Sequence, residues 1–399
     1  MRRVFPDLPR EVGVLAAVAF AVALGFGVVA PAIPVFARQF GVGRTAAGAV
    51  ISAFAFMRLI SALGGGRLVD RLGERTVLGA GIGIVAVSSL LAGLARSYEQ
   101  LLLLRGVGGV GSAMFTVAAV SLVLRVAGPE RRGRANGLFY GGFLVGGITG
   151  PAFGGVLTDV SVRAPFFVYA ATLAVAGAIG MLFLTGGART PAPADEEPRS
   201  TTTGVRQALA SRAYRTALVV NFSAGWTLFG VRSSLIPLFV VEGLRRDAVW
   251  TGIGLLVSSL AQAALLMPAG RLVDSVGRRP ALLVGGLVTS ASMVALAAST
   301  TVAPYLVALA FLGTGSAFLG VAPGAVVGDV VRGRGGTVVA AFQMSSDLGA
   351  VVGPLLAGWL VDNHSYAAAF GVTASVLAAG ALMSLRMPET RRVTAQAGP

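Results

Sequence analysis

Twelve apolar stretches, each long enough to cross a bilayer, constrain this chain more than any other feature. Each holds about 20 residues, and at ~1.5 Å rise per residue a helix of that length crosses a ~30 Å hydrocarbon core. Lipid offers no hydrogen-bond partners to backbone N–H and C=O groups, so such stretches must form helices or a closed barrel. They lack the alternation of barrel strands. The sequence therefore predicts an all-α membrane protein.

The predicted spans fall into two groups of six, separated by a polar, proline-containing segment. The first group covers residues 12–36, 46–66, 76–95, 100–124, 135–158 and 164–186. The second covers residues 215–241, 248–269, 280–299, 303–328, 336–361 and 366–386. We expect an N-terminal bundle over 1–186, a linker over 187–214 with a short surface helix near 205–211, and a C-terminal bundle with a short tail over 215–399.

The charge distribution fits this topology. Charged residues make up 12% of the chain and the mean hydropathy is +0.80, whereas soluble domains carry roughly 25% charged residues. The net charge of +15 comes from arginines concentrated in alternate loops, which is the positive-inside pattern and not a nucleic-acid surface. We therefore expect both termini to lie on the cytoplasmic side of the membrane. The membrane is expected to be the cell membrane of a bacterium or archaeon. The intervening loops hold only Arg38, Arg44, Arg96, Arg163, Arg245 and Arg246.

Missing residue types argue against an enzyme. The chain has no cysteine and no lysine, and its single histidine, His364, falls in a loop. Thiol chemistry, Schiff-base chemistry and a phosphate-binding lysine are therefore excluded, and we expect neither a metal site nor a cofactor. The string Gly106-x-Gly108-x-x-Gly111 matches a dinucleotide fingerprint, but it lies inside an apolar helix with no strand before it.

The two halves contain a repeat. The segment Gly66–Gly73 returns 204 positions later as Gly270–Gly277, in both cases between apolar spans. Glycines at the ends of the segment would permit a tight turn between helices. Two membrane halves built alike, with a site between them, are typical of transporters.

Four motifs in order along the chain resemble the major facilitator superfamily over nearly its whole length. They are the repeated turn, Gly66–Arg75 and Gly270–Arg279; Arg105-x-x-x-Gly109-x-Gly111-x-Ala113; the string Gly137 to Gly155; and Leu24-Gly25 with Pro31-x-x-Pro34. The third is similar to the antiporter motif of proton-coupled drug exporters, and the fourth resembles their twelve-helix type. One departure is Glu74, where the family usually carries a basic residue.

The resemblance implies two pseudo-symmetric six-helix bundles and assigns roles to motif residues. In the family the repeated turn acts as a cytoplasmic gate, whereas a simpler interpretation is a basic loop that sets topology. The gate residues are Gly66, Asp70, Arg71, Gly73, Arg75, Gly270, Asp274, Gly277, Arg278 and Arg279. The antiporter-motif residues are Gly137, Gly146, Gly150, Pro151, Gly154 and Gly155.

Glycines also recur at every fourth position on single helix faces. Small residues at this spacing let helices approach closely in lipid, either for static packing or as a surface that slides. The two series are Gly142, Gly146, Gly150 and Gly154 in the fifth span, and Gly320, Gly324 and Gly328 in the tenth.

Four ionisable residues lie well inside predicted spans, where each costs about 2.5–3.5 kcal/mol at a helix centre. Arg58 and Asp347 fall at similar depths, so we predict that they pair and that a proton on Asp347 breaks the pair; a static pair is the alternative. Arg105 matches a family arginine implicated in proton coupling, and a snorkelling arginine is its alternative. Arg232 is a candidate substrate contact.

Aromatic residues in the spans complete the predicted cavity, although aromatic residues in membrane spans more often face lipid or pack against other helices. The cavity candidates are Arg232, Trp226, Phe115 and Phe318. The predicted function is export of a small amphipathic molecule in exchange for protons by a monomer in the lipid bilayer. The alternatives are a symporter or uniporter for a sugar or organic anion, and a non-transporting membrane receptor.

Overall fold

The computed structural model describes residues 8–184, 204–331 and 336–390. The α-helices are α1 Arg10–Val29, α2 Ala32–Arg38, α3 Arg44–Leu72, α4 Glu74–Gly93, α5 Tyr98–Val160, α6 Ala164–Phe183, α7 Val205–Ala210, α8 Arg212–Ala224, α9 Arg232–Leu238, α10 Val249–Ser275, α11 Arg278–Ala297, α12 Val302–Val330, α13 Gly336–Asn363 and α14 Tyr366–Ser384. Two π-helical segments, Gly225–Val231 and Phe239–Gly243, lie on either side of α9.

The described ranges contain 12 helical segments long and apolar enough to cross a membrane, which confirms the predicted all-α membrane fold. Helices α1 and α2 together form the first segment, Arg10–Arg38. The helical path of α5 contains two segments, Tyr98–Ala127 and Arg134–Val160. The seventh segment, Arg212–Gly243, includes both π-helical stretches and Pro237, which removes one backbone donor from the helix.

The predicted turns at Gly66 and Gly270 are wrong, because both residues lie inside helices. Helix α3 continues to Leu72 and α10 to Ser275. The other predicted turn glycine, Gly73, does end α3: its φ is +82° and its N–H donates to the Val69 carbonyl oxygen at 2.8 Å. Its repeat equivalent Gly277 has φ +137°. Positive φ values cost a glycine little, so the helices end where glycine allows the reversal.

The chain divides into two compact units whose limits cross the sequence halves. The first unit contains the described residues of the first half together with 232–256 and 354–363. The second contains 204–231, 257–353 and 364–390. Most of the predicted linker lies outside the described residues, but α7 confirms the expected short helix. The predicted boundaries of the two bundles stay a prediction.

Each unit has its own packed interior. In the first, the rings of Phe36 and Phe166 meet edge to face with centroids 5.4 Å apart, and both side chains are fully buried. In the second, the buried Tyr214 hydroxyl donates to the Val338 carbonyl oxygen at 2.7 Å, which ties α8 to α13. Tyrosine hydroxyls usually find such a partner when buried, because an unpaired polar group is costly in an apolar interior.

Candidate functional site

Directly after each repeated turn, an ion pair joins the start of one helix to a neighbouring helix. In the first unit Arg125 Nε lies 2.9 Å from Glu74 Oε1, and in the second unit Arg278 Nε lies 2.9 Å from Asp329 Oδ2. Glu74 and Arg278 occupy equivalent positions of the repeat, and so do Arg125 and Asp329. The two pairs therefore join equivalent positions at the same distance but with opposite polarity. Glu74, the departure noted in the sequence, is matched by an arginine on its partner helix.

Because the two ion pairs have opposite polarity, the N-terminus of α4 carries a negative charge and that of α11 a positive charge. A helix N-terminus favours negative charge, so Glu74 suits the first turn of α4. Arg278 begins α11 with a positive charge, and the carboxylate of Glu389 compensates by accepting the N–H groups of Arg278 and Arg279 at 2.8 and 3.0 Å. Thr390 adds a hydrogen bond to Asp329 at 2.9 Å. The segment after α14 thus completes the second ion pair.

The family resemblance implies a transporter, and for that activity exchanging the charges of Glu74 and Arg125 is expected to preserve transport, whereas each single change impairs it. Glu74→Arg or Arg125→Glu places like charges opposite one another, and the double variant restores an attractive pair. Such partly exposed pairs contribute only about 0–1 kcal/mol to stability, so the test is transport rate and not thermal stability. A double variant as slow as the slower single variant would contradict this account.

The remaining predicted gate residues lie around these turns. The Arg75 guanidinium donates to the Met181 carbonyl oxygen, which joins the turn to the end of α6. Asp274 is exposed and lies 3.4 Å from Arg278 Nη1, and Asp70 and Arg71 are exposed at the end of α3. Their role as a gate stays a prediction.

The glycine series in the fifth span packs directly on α1. At each of its four positions an added β-carbon would overlap a backbone carbonyl oxygen of that helix, one turn after another. The glycines are Gly142, Gly146, Gly150 and Gly154, and the oxygens are those of Ala16, Phe20, Leu24 and Val28. This arrangement supports the packing interpretation. The series in the tenth span is different: no described atom lies within 4 Å of a β-carbon added at Gly320, Gly324 or Gly328, so the expected close packing there is wrong.

Gly155 and the Pro151 carbonyl oxygen lie against a different helix, whereas the Pro151 ring lies against Gly27 of α1. A β-carbon on Gly155 would be 2.7 Å from the Cα of Gly252 in α10, and one on Gly252 would be 2.7 Å from the Pro151 carbonyl oxygen. A related contact joins α3 to α13, where a β-carbon on Gly48 would be 2.5 Å from the Pro354 carbonyl oxygen. Gly48 and Gly252 are equivalent in the repeat. Gly137, by contrast, is exposed and borders open space.

Arg105 lies inside an aromatic cluster of the first unit. Its side chain is only 3% exposed, and its guanidinium carbon lies 4.5 Å from the ring centroid of Phe54. Phe54 in turn meets Phe26, and Phe26 meets Tyr169, with centroids 6.2 and 6.4 Å apart. Among the described residues Arg105 Nε has no hydrogen-bond partner. A cation–π contact therefore offsets part of the cost of burying this charge.

Arg58 and Asp347 lie in α3 and α13, both half-buried, and belong to different compact units. Their pairing stays a prediction. Arg232 is half-buried at the start of α9 and donates to the Leu255 carbonyl oxygen at 3.5 Å. Its contact with substrate likewise stays a prediction.

The predicted cavity aromatics have ordinary packing partners. Trp226 is buried in the second unit, where its Nε1 donates to Thr373 Oγ1 at 3.2 Å and its backbone lies against Gly353. Phe115 is buried with its ring 6.2 Å from that of Phe143, and Phe318 packs its Cβ against Gly285. These contacts account for the burial of Trp226 and Phe115 without a substrate. The role of the three aromatics in a cavity is a prediction that the packing leaves open.

Sequence reasoning missed a polar network in the first unit, at the end of α3 opposite the turn at Gly73. Glu242 lies between two arginines, with Arg38 Nε at 2.8 Å and Arg44 Nε at 2.7 Å. Asp362 lies 3.6 Å from Arg44 Nη1 and accepts hydrogen bonds from Thr45. We call Arg38, Arg44, Thr45, Glu242 and Asp362 the outer network. Arg38 and Glu242 are opposite charges at equivalent positions of the repeat, but so are Glu74 and Arg278, which pair with other residues, so this pattern alone did not indicate the contact.

Comparison with known proteins agrees with this architecture. The family model of the Major Facilitator Superfamily matches residues 15–257 and 251–398. Multidrug resistance protein 1 of Bacillus subtilis is 28% identical over 351 residues, which cover 85% of this chain and 86% of that protein. An uncharacterized MFS-type transporter of Methanocaldococcus jannaschii is 24% identical over 380 residues, or 93% and 97% of the two chains. The quinolone resistance protein NorA of Staphylococcus aureus is 29% identical over 163 residues, or 41% and 40%.

Solved structures show the same fold at low sequence identity. A POT family transporter in complex with a thioalcohol conjugated peptide has a TM-score of 0.80 at 12% identity, covering 95% of this chain and 96% of that chain. A bacterial homolog of the human lysosomal transporter Spinster, inward-facing and unoccupied, has a TM-score of 0.74 at 15% identity, with 94% of each chain covered. With its family model matched from residue 15 to residue 398, this multi-pass membrane protein is a member of the major facilitator superfamily.

Proposed function

We propose that the chain is a secondary active transporter that exports small amphipathic, drug-like molecules in exchange for protons. The observation that carries the proposal is similarity to Multidrug resistance protein 1 over most of both chains. The shorter similarity to a quinolone resistance protein points to the same class of substrate. The antiporter-like glycine string favours export over the alternative, a symporter or uniporter for a sugar or organic anion.

The orientation in the membrane is part of the proposal. Arginine-rich loops face the cytoplasm, and both termini lie there with them. The repeated turns at Gly73 and Gly277 then belong to the cytoplasmic face. The contact between Gly155 and Gly252 and the contact between Gly48 and Pro354 belong to the outer half of the membrane. Close outer contacts support a cycle of alternating access in which the outer side closes while the cytoplasmic side is open.

Proton coupling is assigned to Asp347, with Arg58 as its proposed partner and Arg105 as a fixed positive charge in the first unit. A carboxylate inside a span is costly unless it is protonated or paired with a positive charge. Asp347 can therefore alternate between a protonated state and an ion pair with Arg58. The energetics are adequate. One charge crossing ~100 mV supplies ~2.3 kcal/mol, which matches a roughly 50-fold solute gradient at ~1.4 kcal/mol per tenfold.

Cells that express the chain are expected to tolerate higher concentrations of some lipophilic toxic compounds and to accumulate less of a fluorescent one. The measurement is a panel of such compounds tested with and without the chain, followed by dissipation of the proton gradient. Dissipation should abolish the difference, because export then loses its source of energy.

Two outcomes would contradict the proposal. Greater accumulation in cells that express the chain would indicate import. Vesicles that show no proton movement with any accumulated or exported compound would favour a receptor that does not transport. Counterflow with proton gradients of opposite sign separates antiport from symport.

A further inference from the structure

We propose that the outer network is an electrostatic gate: Glu242 and Asp362 hold the outer ends of the second-half helices against α2 and α3, and these contacts must break before the outer mouth opens. This inference rests on the alternating-access cycle proposed above. It adds to that cycle the residues that close one of its two faces, and none of them belongs to the four sequence motifs.

The first argument is the position of the pair between Arg38 and Glu242. The two residues are 204 positions apart, which is the offset of the repeat, and their side chains meet at 2.8 Å. In a twofold arrangement, equivalent positions can touch one another only at the symmetry axis. Two identical charges at the axis would repel one another. An ion pair at the axis therefore requires the two halves to carry charges of opposite sign at this position. The arrangement Arg38 with Glu242 meets that requirement.

The second argument is that Asp362 of α13 caps the N-terminus of α3. Helix α3 begins after Gly43, which has no side chain to accept the first backbone N–H groups. Asp362 accepts the N–H of Arg44 at 2.9 Å, the N–H of Thr45 at 2.8 Å and the Thr45 hydroxyl at 2.8 Å. A β-carbon on Gly43 would lie 2.8 Å from Asp362 Oδ2, so the close approach depends on that glycine.

The third argument is connectivity. Glu242 binds both arginines, and Arg44 links Glu242 to Asp362, so the three ion pairs form one chain of charges. The side chains are 21–30% exposed, so water reaches all of them. A connected set of modest interactions can bias two conformations, and it can also be broken in steps as water enters.

The absence of cysteine makes the gate testable by thiol labelling without background. Thr251→Cys is the reporter, because Thr251 is 1% exposed, adjoins Gly252 at the contact with α5, and has a hydroxyl without a hydrogen-bond partner among the described residues. A membrane-impermeant maleimide is added from the outer side to the purified chain in liposomes. The initial rate of labelling measures how often the outer mouth opens.

In this reporter background, Glu242→Gln and Asp362→Asn are each expected to raise the labelling rate roughly fivefold, the lower range of common coupling effects. Asp159→Asn is the matched control, because this carboxylate is exposed at the end of α5. It should label at the parent rate. Combining Arg38→Gln with Glu242→Gln should add little to Glu242→Gln alone, since the pair is already broken.

Parent-like labelling of both Glu242→Gln and Asp362→Asn overturns the proposal, and so does equal acceleration by Asp159→Asn. A second reporter, Ala217→Cys in the fully buried interior of α8, must stay unlabelled in a folded variant. If Glu242→Gln or Asp362→Asn allows labelling of the cysteine at position 217, the variant is misfolded. Arg38→Gln and Arg44→Gln then break the same ion pairs, and a parent-like labelling rate in both of these variants overturns the gate. Labelling needs neither substrate nor proton gradient, so a gate confirmed in a chain that exports nothing would reject only the proposed function.

Discussion

Asp347→Asn is expected to abolish uphill export while leaving binding of substrate and downhill movement of substrate in place. Asparagine keeps the shape of the side chain but can neither carry a charge nor exchange a proton, so the proposed pairing with Arg58 loses its switch. Losing one coupled proton removes ~2.3 kcal/mol per ~100 mV, which corresponds to loss of a roughly 50-fold solute gradient. The measurement is substrate accumulation in inverted vesicles with an imposed proton gradient.

The comparison that isolates this effect is Asp159→Asn, which removes a carboxylate at the exposed end of α5. It should transport like the parent chain. A second comparison is Arg58→Gln, which should also lose uphill export if the two residues act together. Asp347→Asn vesicles that still concentrate substrate against its gradient would show that the proton is carried elsewhere, and the coupling role of Asp347 would be rejected.

Gly146→Ala is expected to destabilise the fold, although alanine ordinarily favours a helix. The added methyl group would meet the Phe20 carbonyl oxygen and would lie 2.7 Å from the Leu24 amide nitrogen of α1. The backbones of α1 and α5 must then separate, and overpacking of this kind costs about 1–3 kcal/mol. Thermal unfolding of the detergent-solubilised chain should show a midpoint lowered by several degrees, together with reduced yield.

The adjacent glycine supplies the control. At Gly147 an added β-carbon has no described atom within 4 Å, so Gly147→Ala should leave the midpoint unchanged or raise it. Helix propensity alone favours alanine by about 1 kcal/mol at each position, so propensity cannot explain a difference between them. Equal unfolding midpoints for Gly146→Ala and Gly147→Ala would contradict this account. They would mean that α1 and α5 can separate to admit the methyl group without a loss of stability.

The sequence predicted the number and positions of the membrane-spanning segments well because that information is local. Span length and hydropathy each depend on neighbouring residues, and the twelve structural segments lie close to the predicted ones. The predicted ends of α3 and α10 came too early because the sequence analysis gave a turn to Gly66 and Gly270 as well as to Gly73 and Gly277, and of these four only Gly73 and Gly277 adopt positive φ. Helix periodicity alone does not say which of two glycines adopts positive φ.

The polar contacts were harder to predict because they join distant positions. Asp362 caps a helix start 318 residues earlier in the chain, and no local pattern indicates which side chain will arrive there. Tyr169 and Phe26 around Arg105 come from different helices in the same way. The repeat offset does not remove this difficulty: Arg38 and Glu242 are opposite charges at equivalent positions, but so are Glu74 and Arg278, and these two pair with other residues.

The opposite polarity of the Glu74–Arg125 and Arg278–Asp329 pairs has a consequence for recognising relatives of this chain. A sequence motif that scores each position independently counts Glu74 as a mismatch, so it lowers the score of this chain. A pattern that instead requires complementary charge at two positions accepts both halves equally. Among homologous exporters, positions 74 and 125 should then covary in sign, with like-signed combinations strongly depleted.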